Sequence, residues 1–116
     1  METKTGLEIR DKGDVGVVAF THSCISDVEE ISNASAQLKN YVQQKRPAKM
    51  IFDFAGVKFF SSQVLGLLLE VRAHLQADAG KVVVSGLSAQ LQRIFKITNL
   101  NKIFTFYPDA DAALSQ

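Results

Sequence analysis

The stretch Lys49 to Gln76 reads KMIFDFAGVKFFSSQVLGLLLEVRAHLQ, a strand, a break and a helix in succession. Met50, Ile51, Phe52 and Phe54 are apolar at nearly every position, the pattern of a strand buried on both faces of a sheet. Ala55-Gly56 interrupts it. Val57 to Phe60 forms a short apolar connection. A helix is predicted to follow Ser61-Ser62 and to run to about Gln76, because Val64, Leu68, Val71 and Leu75 recur at steps of three and four.

The same alternation extends in both directions. Upstream, Leu7 and Ile9 alternate with charges, Lys12-Gly13-Asp14 reads as a turn, and Val15 to Phe20 (VGVVAF) is a second strand. Ser26-Asp27-Val28-Glu29 matches a capping box, with Ser26 as the cap. The helix it starts carries Ile31, Ala34, Leu38 and Val42 on one face and ends before Pro47. Downstream, Asp78-Ala79-Gly80 stops the second helix, with Gly80 expected in the left-handed cap conformation. Lys81 to Ser85 (KVVVS) is another buried strand. Ser88 caps a third helix whose inner face is Leu91, Ile94, Phe95 and Thr98. Phe104 to Tyr107 reads as a last strand, and Pro108-Asp109 opens a short helix through Leu114. Strands that alternate with helices predict an α/β fold: a mixed, mostly parallel sheet of four to five strands with helices packed against it. The opening pair, joined by a tight turn, is expected to be antiparallel. One domain over residues 1–116 is the expected organisation.

Composition narrows the function. Of 116 residues, 47% are apolar and 22% charged, and the net charge is +1, so no basic face announces a nucleic acid. The densest basic run, Lys45, Arg46 and Lys49, is read as cations suiting the end of a helix. A single cysteine, Cys24, forbids an internal disulfide. The first eleven residues lack a signal-peptide apolar core, and no apolar run approaches the roughly 20 residues of a membrane span. A cytoplasmic location is expected.

Catalytic constellations are sparse. The two histidines, His22 and His74, lie at no metal-ligand spacing from Cys24, and no Gly-rich phosphate loop occurs. Neither a metal nor a cofactor is expected. Carboxylates at Asp27-Glu29-Glu30 and Asp109-Asp111 fall at helix starts, where capping explains them. Asp53, inside an apolar strand, is read as a strand-end carboxylate that accepts backbone N–H groups of the next loop. Ser61 and Ser62 stand where an apolar segment turns into a helix, a place that favours an added phosphate because it offers partial positive charge and free donors. A phosphoserine brings about −1.5 to −2 charges.

The run Asp53-Phe-Ala-Gly-Val-Lys-Phe-Phe-Ser-Ser-Gln-Val-Leu-Gly66 resembles the central signature of the STAS family, the sulfate-transporter and anti-sigma-factor-antagonist domains. There a strand ending D-L-S-G-V leads through an aromatic or aliphatic pair to D-S-S-G-L-G at a helix start. Val82 to Ser88 (VVVSGLS) resembles the family's fourth strand and its exit, and Phe95 to Phe104 (FKITNLNKIF) its F-x-x-T-G-L-x-x-x-F segment. The resemblance covers roughly Val15 to Leu114. Ser61 stands where the family usually has Asp, Gln63 where the phosphorylated residue normally lies, and Val64 where a glycine follows it.

The resemblance implies partner switching. An unphosphorylated member binds a serine-kinase anti-sigma factor and frees the sigma factor; phosphorylation ends the binding. Transferred to this sequence, the partner-binding residues are Ser61, Ser62 and Gln63, with the His22–Asp27 loop, including His22 and Asp27, beside them. Ser62 is the nearest replacement phosphoacceptor and Ser61 a further candidate. A monomer or weak homodimer suits this role, and no enzymatic activity is expected. Three other readings stand beside it. Gln63, which cannot carry phosphate, suits a constitutive scaffold in a larger signalling complex. A serine hydrolase would need a base for Ser61 or Ser62, for which only His22 and His74 are available. Nucleotide binding is reported for some family members, although no phosphate loop is present here.

Overall fold

The computed structural model describes residues 6–77 and 79–115. Among these described residues, seven strands and four α-helices follow one another as β1 (Leu7–Lys12), β2 (Val15–Phe20), β3 (Cys24–Ile25), α1 (Val28–Lys45), β4 (Lys49–Asp53), β5 (Phe59–Phe60), α2 (Ser62–Gln76), β6 (Lys81–Ser85), α3 (Ala89–Ile97), β7 (Thr105–Tyr107) and α4 (Ala110–Leu114). A single 3₁₀ turn at Leu100–Lys102 joins α3 to β7. The main sheet has the order β1-β2-β4-β6-β7. Only the β1–β2 hairpin is antiparallel; β2–β4, β4–β6 and β6–β7 are parallel. The expected α/β class, the mixed sheet and the antiparallel opening pair are all present, with five strands in the sheet.

Position in the sheet explains the strand sequences. β4 and β6 are central, so both faces are covered and both read as unbroken apolar runs. Val18, Met50, Phe52, Val82 and Val84 face one side, where α1, α2 and α3 pack. The alternate residues Val17, Ile51 and Val83 face the other side and meet Ala113 of the short α4. Ile31, Ala34, Leu38 and Val42 of α1 are buried, as the helical spacing predicts, and so are Val64, Leu68, Val71 and Leu75 of α2. Each fully buried Leu or Phe side chain stabilises the fold by about 1.5–3 kcal/mol. Phe54 belongs to an aromatic cluster centred on Phe95, its own ring centroid lying 4.8 Å from Phe20, 5.5 Å from Phe60 and 6.4 Å from Phe95.

Three local expectations are corrected. The α1 cap is Asp27, not Ser26: Asp27 Oδ1 accepts from the Glu30 N–H at 3.0 Å, so the helix starts one residue later than the capping-box reading. The carboxylate is the better acceptor for an orphan N–H. After α2, the left-handed residue is Ala79 (φ 61°), not Gly80. Gly80 is needed for another reason, since a Cβ there would lie 2.9 Å from the Pro47 carbonyl oxygen. Lys49 is not a solvated helix-end cation. It is buried in β4, 6% exposed, and its ammonium donates to the Ala113 carbonyl at 2.6 Å, tying α4 to the back of the sheet. Burial, with Lys81 nearby, lowers the pKa of Lys49 from its ordinary value.

Candidate partner-binding site

The two-residue strands β3 and β5 form a small parallel sheet of their own, with Cys24 opposite Phe59 and Ile25 opposite Phe60. The Lys58 N–H donates to the Ser23 carbonyl at 2.7 Å, and the Ser61 N–H to the Ile25 carbonyl at 2.9 Å. Phe60 is buried against Phe54 and against Phe95 at 6.0 Å, which anchors this ribbon to the core. Both chains then enter helices. Asp27, the cap of α1, follows Ile25 by two residues, and Ser61, the cap of α2, follows Phe60 by one. Parallel pairing therefore sets the starts of α1 and α2 side by side, and brings the His22–Asp27 segment next to Phe59–Gln63. The sequence pattern contained both segments but not their hydrogen-bonded pairing, because two-residue strands are too short to show a period.

Within this group the two serines differ. Ser61 has extended cap geometry (φ −79°, ψ 163°), yet its side chain caps nothing. Its Oγ is buried and has no hydrogen-bond partner among the described residues. Ser62, the first residue of α2, is exposed. The α2 start is also the odd one out electrostatically. Asp27 caps α1 and is followed by Glu29 and Glu30; Ser88 Oγ accepts from the Leu91 N–H of α3 at 3.2 Å; Asp109 Oδ1 accepts from the Ala112 N–H of α4 at 2.8 Å. The first turn of α2 has neither a side-chain cap nor an acidic residue. The Val64 N–H donates to the Ser61 carbonyl at 3.0 Å, but among the described residues no side chain caps this helix start and no acidic residue in its first turn offsets the partial positive charge.

Gln63 is exposed and lines a shallow groove of about 400 Å³ between α1 and α2, together with Val28, Ile31 and Leu67. Glu70 closes its far end, engaged by the Lys39 ammonium and by Ser35 Oγ at 3.3 Å. The Lys39 hydrogen bond is the main reason the Glu70 carboxyl is held below its ordinary 4.5. His22 is exposed, with Nε2 3.8 Å from Glu30 Oε1. Two residues the sequence reading did not assign to the site flank it. Phe59 is 48% exposed and Val28 63% exposed, large apolar side chains in water at the rim. The signal for Phe59 was available: adjacent residues of a strand point to opposite faces, so when Phe60 enters the core Phe59 must leave it.

Asp53, the last residue of β4, links the loop that follows it to the end of β6. Its Oδ1 accepts from the Ala55 N–H at 3.1 Å, as the sequence suggested, and from Ser85 Oγ at 3.2 Å. Gly86 passes directly over it at φ +71°, and a Cβ there would lie 2.6 Å from Asp53 Oδ1 and 2.8 Å from the Ala55 nitrogen. Among the described residues no group of three or more His, Cys, Asp or Glu could hold a metal ion, and no helix is long and apolar enough to cross a membrane.

Sheet order and site together define a class: a mixed α/β domain led by an antiparallel hairpin, with its distinctive surface on the loops at the carboxyl ends of the parallel strands. The comparisons with known proteins make the class specific. The STAS domain profile matches residues 8–113, and the chain belongs to the STAS domain family. Among solved structures, an anti-sigma-factor antagonist STAS domain protein from Planctomyces limnophilus superposes with a TM-score of 0.82 at 20% identity, over 93% of each chain. An anti-sigma factor antagonist from Mycobacterium paratuberculosis is similar at 26% identity and a TM-score of 0.75, over 94% of this chain and 90% of that one. The phosphorylated form of the Bacillus cell fate determinant SpoIIAA gives a TM-score of 0.72 at 17% identity, over 92% of this chain and 96% of that one.

Proposed function

We propose that this chain is an anti-sigma-factor-antagonist-type regulator in the cytoplasm, binding a serine-kinase anti-sigma factor through the β3–β5 ribbon and the start of α2. Phosphate on Ser62 releases the partner. The observation that carries this reading is the pairing of an exposed Ser62 hydroxyl with a helix start that has no side-chain cap and no acid in its first turn, beside the exposed Phe59 ring. Phe59 and Val28 supply apolar area to the bound state, and Ser61, Gln63, Asp27 and His22 the polar rim. A dianionic phosphate set among these groups costs desolvation and repels acidic partner residues. Burial of Ser61 Oγ favours Ser62 over Ser61 as the acceptor.

The test is affinity co-purification from the producing cells with the wild-type protein, Ser62→Ala and Ser62→Glu. A protein kinase-like partner retained by the first two and lost with Ser62→Glu supports the reading; equal retention by all three refutes it. One observation favours a second reading, a constitutive scaffold. Gln63 occupies the position at which the family sequence pattern carries its phosphoacceptor, and it is exposed beside the groove. Equal retention is what that reading expects.

A further inference from the structure

A concavity of about 610 Å³ lies away from the α2 start, between α3 and β7, the edge strand of the sheet. That falls within the roughly 300–1,000 Å³ of small-molecule sites. Leu91 and Phe95 turn one face of α3 into the core, and the opposite face presents Gln92, Arg93 and Lys96 to the cavity. Leu87 and Phe106 form the apolar side, while the Tyr107 side chain packs on the opposite face of the sheet, towards α4. Phe106 is held in place by Phe95, with ring centroids 5.3 Å apart, and Gln92 Nε2 donates to the Leu87 carbonyl at 3.1 Å.

The charge of this cavity is one-sided. Its described lining contains two cations and no carboxylate, and neither Arg93 nor Lys96 forms an ion pair among the described residues. The nearest carboxylate in sequence, Asp109, follows the lining residue Pro108 and accepts from the Ala112 N–H as the α4 cap. We propose that the cavity binds a small organic anion, a flat ring carrying a carboxylate or phosphate. The ring lies against Leu87 and Phe106, and the anionic group meets the Arg93 fork and the Lys96 ammonium. Two cations one helical turn apart engage one such group, and the aromatic wall distinguishes a ring-bearing anion from a bare one.

Amide NMR titration tests this with three probes: 2-naphthoate, 2-naphthylmethylamine and inorganic phosphate. Naphthoate is expected to give saturable shifts concentrated in residues 87–108, at least tenfold tighter than phosphate, with the amine giving none there. The double variant Arg93→Gln/Lys96→Gln alters exposed residues only, so its melting temperature stays at the wild-type value while naphthoate binding weakens at least tenfold. The proposal is overturned if naphthoate shifts none of these amides, if the amine or phosphate matches it, or if the double variant binds it unchanged.

Discussion

Replacing Ser62 by Asp should stabilise the fold while abolishing partner binding, and the stabilisation can be sized. Ser62 is the first residue of a 15-residue helix whose first turn holds no acid and whose cap residue, Ser61, makes no side-chain hydrogen bond. The helix end carries about half a positive charge. A carboxylate about 5 Å away in a largely aqueous setting gains about 0.5 kcal/mol, inside the usual 0.3–1 kcal/mol for such sites. With an unfolding entropy of about 0.24 kcal/mol/K for a chain of this length, the melting temperature rises by about 1–4 °C. Thermal unfolding by circular dichroism measures it, with Ser62→Asn as the neutral comparison of equal shape. The gain over Asn should shrink in 1 M salt, where the Debye length is about 3 Å, and vanish below the Asp pKa near 4. A phosphate, with its larger charge, stabilises further, so loss of binding on modification cannot come from melting α2. A fall in melting temperature for Ser62→Asp relative to Ser62→Asn would refute the idea that this helix start welcomes negative charge.

Other outcomes follow from the same geometry. Phe59→Ala should weaken partner binding at least tenfold in calorimetry, since a Phe buried on binding contributes about 1.5–3 kcal/mol, yet leave the melting temperature within about 2 °C because the ring is already outside the core. Gly86→Ala should destabilise by about 2–4 kcal/mol in urea unfolding: the left-handed backbone costs about 1–2 kcal/mol, and the new Cβ displaces Asp53 from Ala55. A loss below about 1 kcal/mol would show that the Asp53 loop yields easily. Glu70→Gln addresses pH. The Glu70 carboxyl is held below its ordinary 4.5, chiefly by Lys39, so its stabilisation is present above the unfolded value and lost as pH falls through the lower folded one. The wild type should exceed Glu70→Gln by about 0.3–0.5 kcal/mol at pH 7, the gap closing below pH 4.5. A gap unchanged at pH 3 would contradict that sign.

Much of this was legible in the sequence because local and global preferences agree. The unbroken apolar runs at Met50–Phe52 and Val82–Val84 announce central strands, and the three- and four-residue spacings in α1 and α2 announce the faces that cover them. The Ser88 and Asp109 caps could be read one helix at a time. What escaped depends on contacts between distant segments. The β3–β5 pairing rests on hydrogen bonds across more than thirty positions, the burial of Ser61 Oγ on packing around it, and the role of Gly80 on the approach of Pro47. Asp27 displaced Ser26 as a cap because two adjacent capping residues compete, and the pattern fits either. Lys49 looked like a surface cation because its acceptor, the Ala113 carbonyl, is supplied by backbone 64 residues away.

The central claim, a charge switch at Ser62, is tested most directly by intact-mass spectrometry of the protein from the cells that produce it, at rest and under stress, with and without phosphatase. The account predicts a phosphatase-sensitive gain of about 80 Da in one condition, mapped by fragmentation to Ser62. An unmodified mass in both conditions, or a phosphate mapped to any other residue, would contradict it.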